Sequence, residues 1–106
     1  MNTLSSHILD TTSGKPVEGI KLTLSRPDGS TLTGTTDSDG RFKAWGTPFE
    51  AGIYTLRFHC HEYLISTHGK SFYPHIDICF ELGDEGGHYH VPLLISPFGF
   101  SSYRGS

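Results

Sequence analysis

The spacing of its turn signals most constrains what this chain can fold into. TTSGKP, RPDGS, DSDGR, GDEGG and PFG punctuate the sequence at short intervals, and their Gly, Pro and Asp residues preset a backbone dihedral or allow a positive one. Between the turns the residues alternate. In GIKLTLS, Ile20, Leu22 and Leu24 face one way and Lys21 and Thr23 the other. IYTLRFHC opposes Tyr54, Leu56, Phe58 and Cys60 to Thr55, Arg57 and His59, and HIDICFEL gathers Ile76, Ile78, Phe80 and Leu82 on one side. A period of two marks strands with one buried face. LSSHILD reads as the first strand, TLTGTT as a polar strand near an edge, HYHVPLLIS as a strand with Tyr89, Val91, Leu93 and Ile95 inward, and FSSYR as a short last strand. Only HEYLISTHG suits a helix, closed by Gly69 as C-cap. Seven or eight strands and one small helix make an all-β domain, a sandwich or barrel.

Its 106 residues suit one domain, spanning 1–106, with a single core. A net charge of −3 with mixed signs leaves no electrostatic footprint for nucleic acid or an acidic membrane. No apolar run is long enough to span a bilayer, and MNTLSSHILD lacks the regions of a signal peptide. The two cysteines, Cys60 and Cys79, fall on opposite strand faces, which argues against their pairing; reduced thiols fit the cytoplasm.

No phosphate loop, nucleophile elbow or C-x-x-C motif is present, so the available chemistry rests on histidines, an arginine and hydroxyls. Histidine is the side chain whose ordinary pKa, about 6.5, lies nearest neutrality. In HYH, His88 and His90 project together from the strand face opposite Tyr89. Beyond them, Pro92 and Leu94 make that outer face apolar too, so a neighbouring subunit is expected to cover it and to desolvate His90. By spacing alone, His7 is a polar residue on an edge strand and Arg41 a solvated charge after a turn. His7, His88 and His90 offer three nitrogens of the kind zinc accepts, but with no ligand spacing or supporting shell, so no metal site is assigned.

The chain resembles the transthyretin-related proteins that are 5-hydroxyisourate hydrolases. The likeness runs through LSSHILDTTSGKP, TDSDGR, SFYPHIDICF and HYHVPLLISPFGFSSYRGS, nearly the whole chain, and ends on the Tyr-Arg-Gly-Ser that separates these hydrolases from the hormone carrier transthyretin. The resemblance implies a transthyretin-like β-sandwich of two four-stranded sheets with one short helix. It also implies a homotetramer, a dimer of dimers with sites along the channel between dimers, and no cofactor. It places His7, Arg41 and His90 in catalysis, and Tyr103, Arg104 and Ser106 against the substrate. Either His7 or His90 would be the general base, with His7 favoured, while Arg41 would steady negative charge on a carbonyl oxygen. The family often has Tyr where this chain has Phe98 and Phe100, which removes hydroxyls available for bonds across an interface. Two other classes remain open: a carrier of small aromatic ligands on the same scaffold, and a monomeric β-sandwich interaction module.

Overall fold

Alternation in the sequence becomes alternation of burial along most of the longer strands. A computed structural model describes residues 1–105. In chain order its elements are β1 (Asn2–Asp10), β2 (Lys15–Pro16), β3 (Lys21–Ser25), β4 (Thr31–Thr35), β5 (Arg41–Phe42), β6 (Gly52–His59), α1 (His61–His68), β7 (Ile76–Leu82), β8 (Gly87–Ser96) and β9 (Gly99–Ser102). They form two sheets. One runs β4-β3-β6-β7, all antiparallel. The other runs β2-β1-β8-β9, and β5 pairs with β1 as well. Since β2 pairs with Leu9 and Asp10, and β5 with Ser6 and His7, the two short strands share one edge of β1. Each sheet is therefore four strands wide, as the resemblance implied. The two-residue strands raise the strand count to nine, and they are too short for alternation to reveal.

The sheets face each other through Leu4 and Ile8 of β1, Leu22 and Leu24 of β3, Leu56 and Phe58 of β6, and Leu93 and Ile95 of β8, each at most 2% exposed. Full burial of such side chains is worth about 1.5–3 kcal/mol apiece, and this core fixes which face of β1 and β8 is left outward. An edge-to-face file of rings, Phe42 to Trp45 to Phe49 to Tyr54, with centroids 4.7, 6.5 and 5.7 Å apart, pins the segment after β5 to the core.

The helix closes as expected: Gly69 has φ 78°, and its N–H donates to the Ile65 carbonyl at 2.8 Å. Only Leu64 of α1 is buried, and polar bonds do the rest of the docking. The carboxylate of Asp10, at the end of β1, accepts from the Tyr63 hydroxyl and pairs with His68 Nε2, both at 2.6 Å. Its other oxygen takes the N–H groups of Thr12 and Ser13. Both cysteines are free, Cys60 buried and Cys79 exposed. No helix among the described residues is long and apolar enough to cross a membrane.

On the outer face of β8 the chain itself already buries Pro92, while Leu94 beside it is half-buried. Ser102 Oγ donates to the Pro92 carbonyl at 2.7 Å. Pro92 is tolerated in β8 because it lies between the bridge at His90 and the β9 pairing that begins at Leu93.

Candidate active site

The core claims the even residues of β1, so Thr3, Ser5, His7 and Leu9 point outward. The partner β8 is parallel to β1, and its register sets Thr3 opposite His88, Ser5 opposite His90 and His7 opposite Pro92. On the other side of β1, His7 lies opposite Arg41. On the far side of β8, His90 bridges to Gly105. Adjacent rows across one sheet face thus read Arg41, His7, Pro92 and then Ser5, His90, Gly105. The sheet draws together His7, Arg41 and His90, which lie far apart in the chain.

Arg41 is delivered by the turn before it. One carboxylate oxygen of Asp37 accepts the N–H groups of Asp39 and Arg41 at 2.9 and 3.0 Å, which also holds that carboxyl below its usual range. Gly40 has φ 74°, donates its N–H to the Asp37 carbonyl at 2.9 Å, and accepts from the Ile8 N–H at 2.8 Å. A Cβ at this glycine would stand 2.6 Å from the Ile8 carbonyl oxygen. Only glycine lets the turn approach β1 closely enough to put Arg41 beside His7.

His90 is half-buried and held by its neighbours. Its Nδ1 lies 2.7 Å from Ser5 Oγ, leaving Nε2 as the nitrogen free for chemistry. Ser5 Oγ lies also 2.9 Å from Nε2 of the exposed His88, whose Nδ1 is 2.7 Å from Thr3 Oγ1. Burial lowers the His90 pKa, and the charges of Arg41, His7 and His88 add to the effect, so the neutral imidazole is favoured. The tail packs onto the same ring: Gly105 donates its N–H to the His90 carbonyl at 2.7 Å. Among the described residues no group of three His, Cys, Asp or Glu could hold a metal ion.

A cavity of about 300 Å³ opens here, lined by Ser5, Ser6, Asp37, Arg41, Phe42, Lys43 and His90. With two cations, one carboxylate, an imidazole and the Ser5 hydroxyl on its walls, it can bind a small polar molecule, activate water and steady negative charge. Two other hollows, at Arg26 and Tyr54 and at Lys21 and His59, contain none of the candidate site residues. His7 flanks the cavity from the Arg41 row. Tyr103 is exposed, and the Arg104 guanidinium stands 4.0 Å above the Tyr89 ring, so neither is among the lining residues. Ser106 lies outside the described residues. The sequence reading passed over Ser5, Lys43 and Gly105. Period two could have found the first pair, since Ser5 precedes His7 by two and Lys43 follows Arg41 by two.

A model of the HIUase/Transthyretin family matches residues 4–105. The 5-hydroxyisourate hydrolase of Mesorhizobium japonicum is 44% identical over 114 residues, a span of 97% of this chain and 91% of that protein. Among solved structures, that of Klebsiella pneumoniae 5-hydroxyisourate hydrolase superposes with a TM-score of 0.87 at 38% identity, covering 100% of this chain and 94% of that one. Transthyretin from Sparus aurata superposes with a TM-score of 0.86 at 29% identity, covering 99% of this chain and 97% of that one.

Proposed function

The chain belongs to the HIUase/Transthyretin family, and on that premise we propose that it hydrolyses 5-hydroxyisourate, opening the ring at a cyclic amide in urate breakdown. The observation that carries this reading is the meeting of His90 and Arg41 in the wall of one small polar cavity, with His7 beside Arg41 and the Gly105 backbone bridged to His90.

The reaction forms a bond from water oxygen to the amide carbon and breaks the bond from that carbon to nitrogen. The product is 2-oxo-4-hydroxy-4-carboxy-5-ureidoimidazoline. We assign the general base to His90 rather than to His7, which the sequence had favoured. Support comes from its place in the cavity wall, its bond to Ser5 and its depressed pKa, which keeps a lone pair ready near neutral pH. His90 Nε2 takes a proton from the attacking water. Arg41, with Lys43 beside it, faces the carbonyl oxygen as charge develops there, and its fork suits that oxygen. His7 orients substrate from the Arg41 row. The leaving nitrogen then takes a proton, and the carbonyl re-forms as the acid. A substrate role for Tyr103, Arg104 and Ser106 is carried over from the family resemblance; the anchoring of the neighbouring Gly105 at His90 supports it, although Tyr103 and Arg104 are not part of the cavity lining of the single chain.

A homotetramer, a dimer of dimers, is the assembly this reading takes. Phe98, Phe100 and Tyr103, which are 63%, 41% and 59% exposed, supply apolar surface for it near the tail. The free thiols support a cytoplasmic location. The charged lining speaks against a carrier of apolar hormone, although transthyretin shares the fold. The test follows the ultraviolet decay of 5-hydroxyisourate made fresh from urate. The purified chain is expected to accelerate that decay, and a chain ending at Ser102 is expected to lose the acceleration while keeping its fold. Decay no faster than the spontaneous rate with the full chain overturns the proposal.

A further inference from the structure

Beyond the residues that touch substrate lies an unbroken series of hydrogen bonds: His90 Nδ1 to Ser5 Oγ at 2.7 Å, Ser5 Oγ to His88 Nε2 at 2.9 Å, and His88 Nδ1 to Thr3 Oγ1 at 2.7 Å. It runs along the outward face of the β1–β8 pair, from the half-buried His90 to the exposed His88 and Thr3. Resting on the hydrolase reading, we propose that Ser5 and His88 are positioning residues that set the tautomer of His90 and carry its proton to and from the solvent side of the sheet.

A hydroxyl between two imidazoles donates to one and accepts from the other, so the series has two polarities. In the first, His90 Nδ1–H donates to Ser5, Ser5 O–H donates to His88 Nε2, and His88 Nδ1–H donates to Thr3. His90 Nε2 then carries a lone pair and is a base. When it takes the proton of water, the Nδ1 proton passes to Ser5 and the Ser5 proton to His88 Nε2. His90 is left neutral with Nε2–H, and the positive charge rests on His88. When the leaving nitrogen takes the Nε2 proton, the same protons shift back and the first state returns. No proton is gained or lost over the cycle, and one nitrogen serves as base and then as acid.

The surroundings of His90 explain why charge should not stay there. It faces His7 on β1, Arg41 on β5, Lys43 and Asp37 across the cavity, and the Gly105 segment on its other side. Asp37 is the one anion among these, and its carboxylate is already engaged by backbone N–H groups. His88 stands exposed, where water stabilises an imidazolium.

The variants are Ser5→Ala, Ser5→Thr and His88→Ala in the full chain, with turnover read from 5-hydroxyisourate decay and the His90 ring nitrogens read by 15N NMR. In Ser5→Ala, kcat is expected to fall roughly ten- to a hundredfold, the size seen when a metal-ligating histidine loses the partner that orients it. His90 should change from the Nδ1–H to the Nε2–H tautomer. Ser5→Thr keeps a hydroxyl and should restore both readouts. In His88→Ala, added imidazole should recover part of the lost kcat. Wild-type kcat in Ser5→Ala, an unchanged His90 tautomer there, or indifference of His88→Ala to imidazole overturns the relay. If the wild-type chain itself fails to accelerate the decay, the hydrolase reading falls, and the His90 tautomer in Ser5→Ala still decides whether Ser5 sets it.

Discussion

The backbone of Gly105 is joined to His90 by an N–H to carbonyl bond of 2.7 Å, and a Cβ on Gly105 would stand 2.6 Å from Cδ2 of the His90 ring. The tail is therefore seated on the imidazole with no room between them. Gly105→Ala is expected to displace either the tail or the ring. A shift of about 1 Å at a reacting group can cost about a hundredfold in rate, so kcat should fall on that scale. The melting temperature should move little, since the site lies on the outer sheet face away from the core. Parallel measurement of 5-hydroxyisourate decay and thermal unfolding checks this; a fully active variant would show that the contact has no catalytic consequence.

Much of this arrangement is legible in the sequence. Alternation placed Tyr89, Val91, Leu93 and Ile95 inward and His88 and His90 outward, because a one-sided core enforces period two. Gly69 marks the helix end for a different local reason, its ease in the left-handed conformation at φ 78°. What stayed hidden is non-local. Ser5 and His90 are 85 residues apart, and only the parallel register of β1 against β8 makes them neighbours. Nothing within either strand announces that register. The strand at Arg41–Phe42 was missed because two residues cannot show a period, and its position depends on the close approach of Gly40 to β1. Within the tail the resemblance points to Tyr103, Arg104 and Ser106, whereas among the described residues it is Gly105 whose backbone bonds to His90, at a position where a side chain would not fit.

Arg41 separates charge from shape. Arg41→Ala removes both and should lower kcat/KM by about 10²–10³-fold, the usual loss when a donor to a developing oxyanion is deleted. Arg41→Lys keeps the charge but not the planar fork, so it should fall between wild type and Arg41→Ala. If Arg41→Lys is as active as wild type, the fork geometry is irrelevant. Because Lys43 also lines the cavity, Arg41→Ala should retain some activity that Arg41→Ala with Lys43→Ala loses.

The acid limb of the pH–rate profile reports the base. Burial, aided by Arg41, His7 and His88, lowers the His90 pKa. A base works when deprotonated, so kcat/KM should rise with pH through an apparent pKa below the ordinary histidine value of about 6.5 and then level off. Removing the positive charge in Arg41→Gln takes away one cause of the depression. Its limb should move to higher pH although its plateau is lower. An acid limb in Arg41→Gln that stays where wild type has it would place the titrating group away from Arg41. The value belongs to the coupled histidines and is read as an apparent one.

The helix is fastened by Asp10 rather than by a broad apolar face, and this makes a stability prediction independent of the site. Burial alone would raise the Asp10 pKa, but hydrogen bonds from Tyr63, His68, Ser13 and Thr12 outweigh it and hold the carboxyl at about 2, against an ordinary 3.8. The same contact, added to burial, pushes the Tyr63 hydroxyl up to about 12. A carboxyl with a depressed folded-state pKa contributes stability above its unfolded value and loses it as pH falls toward the folded one. The contribution is about 2 kcal/mol, complete above pH ~4–5 and gone near pH ~2. Asp10→Asn keeps the shape but replaces an anion that accepts from every side with an amide whose nitrogen must face Tyr63 or His68. At neutral pH it should cost about 1–3 kcal/mol in urea unfolding, the range for leaving a buried hydrogen-bonding group without its partner. It should also flatten the loss of stability between pH ~4 and ~2 that wild type shows. A variant that unfolds at the wild-type urea midpoint at neutral pH would mean that Leu64 alone holds α1 in place.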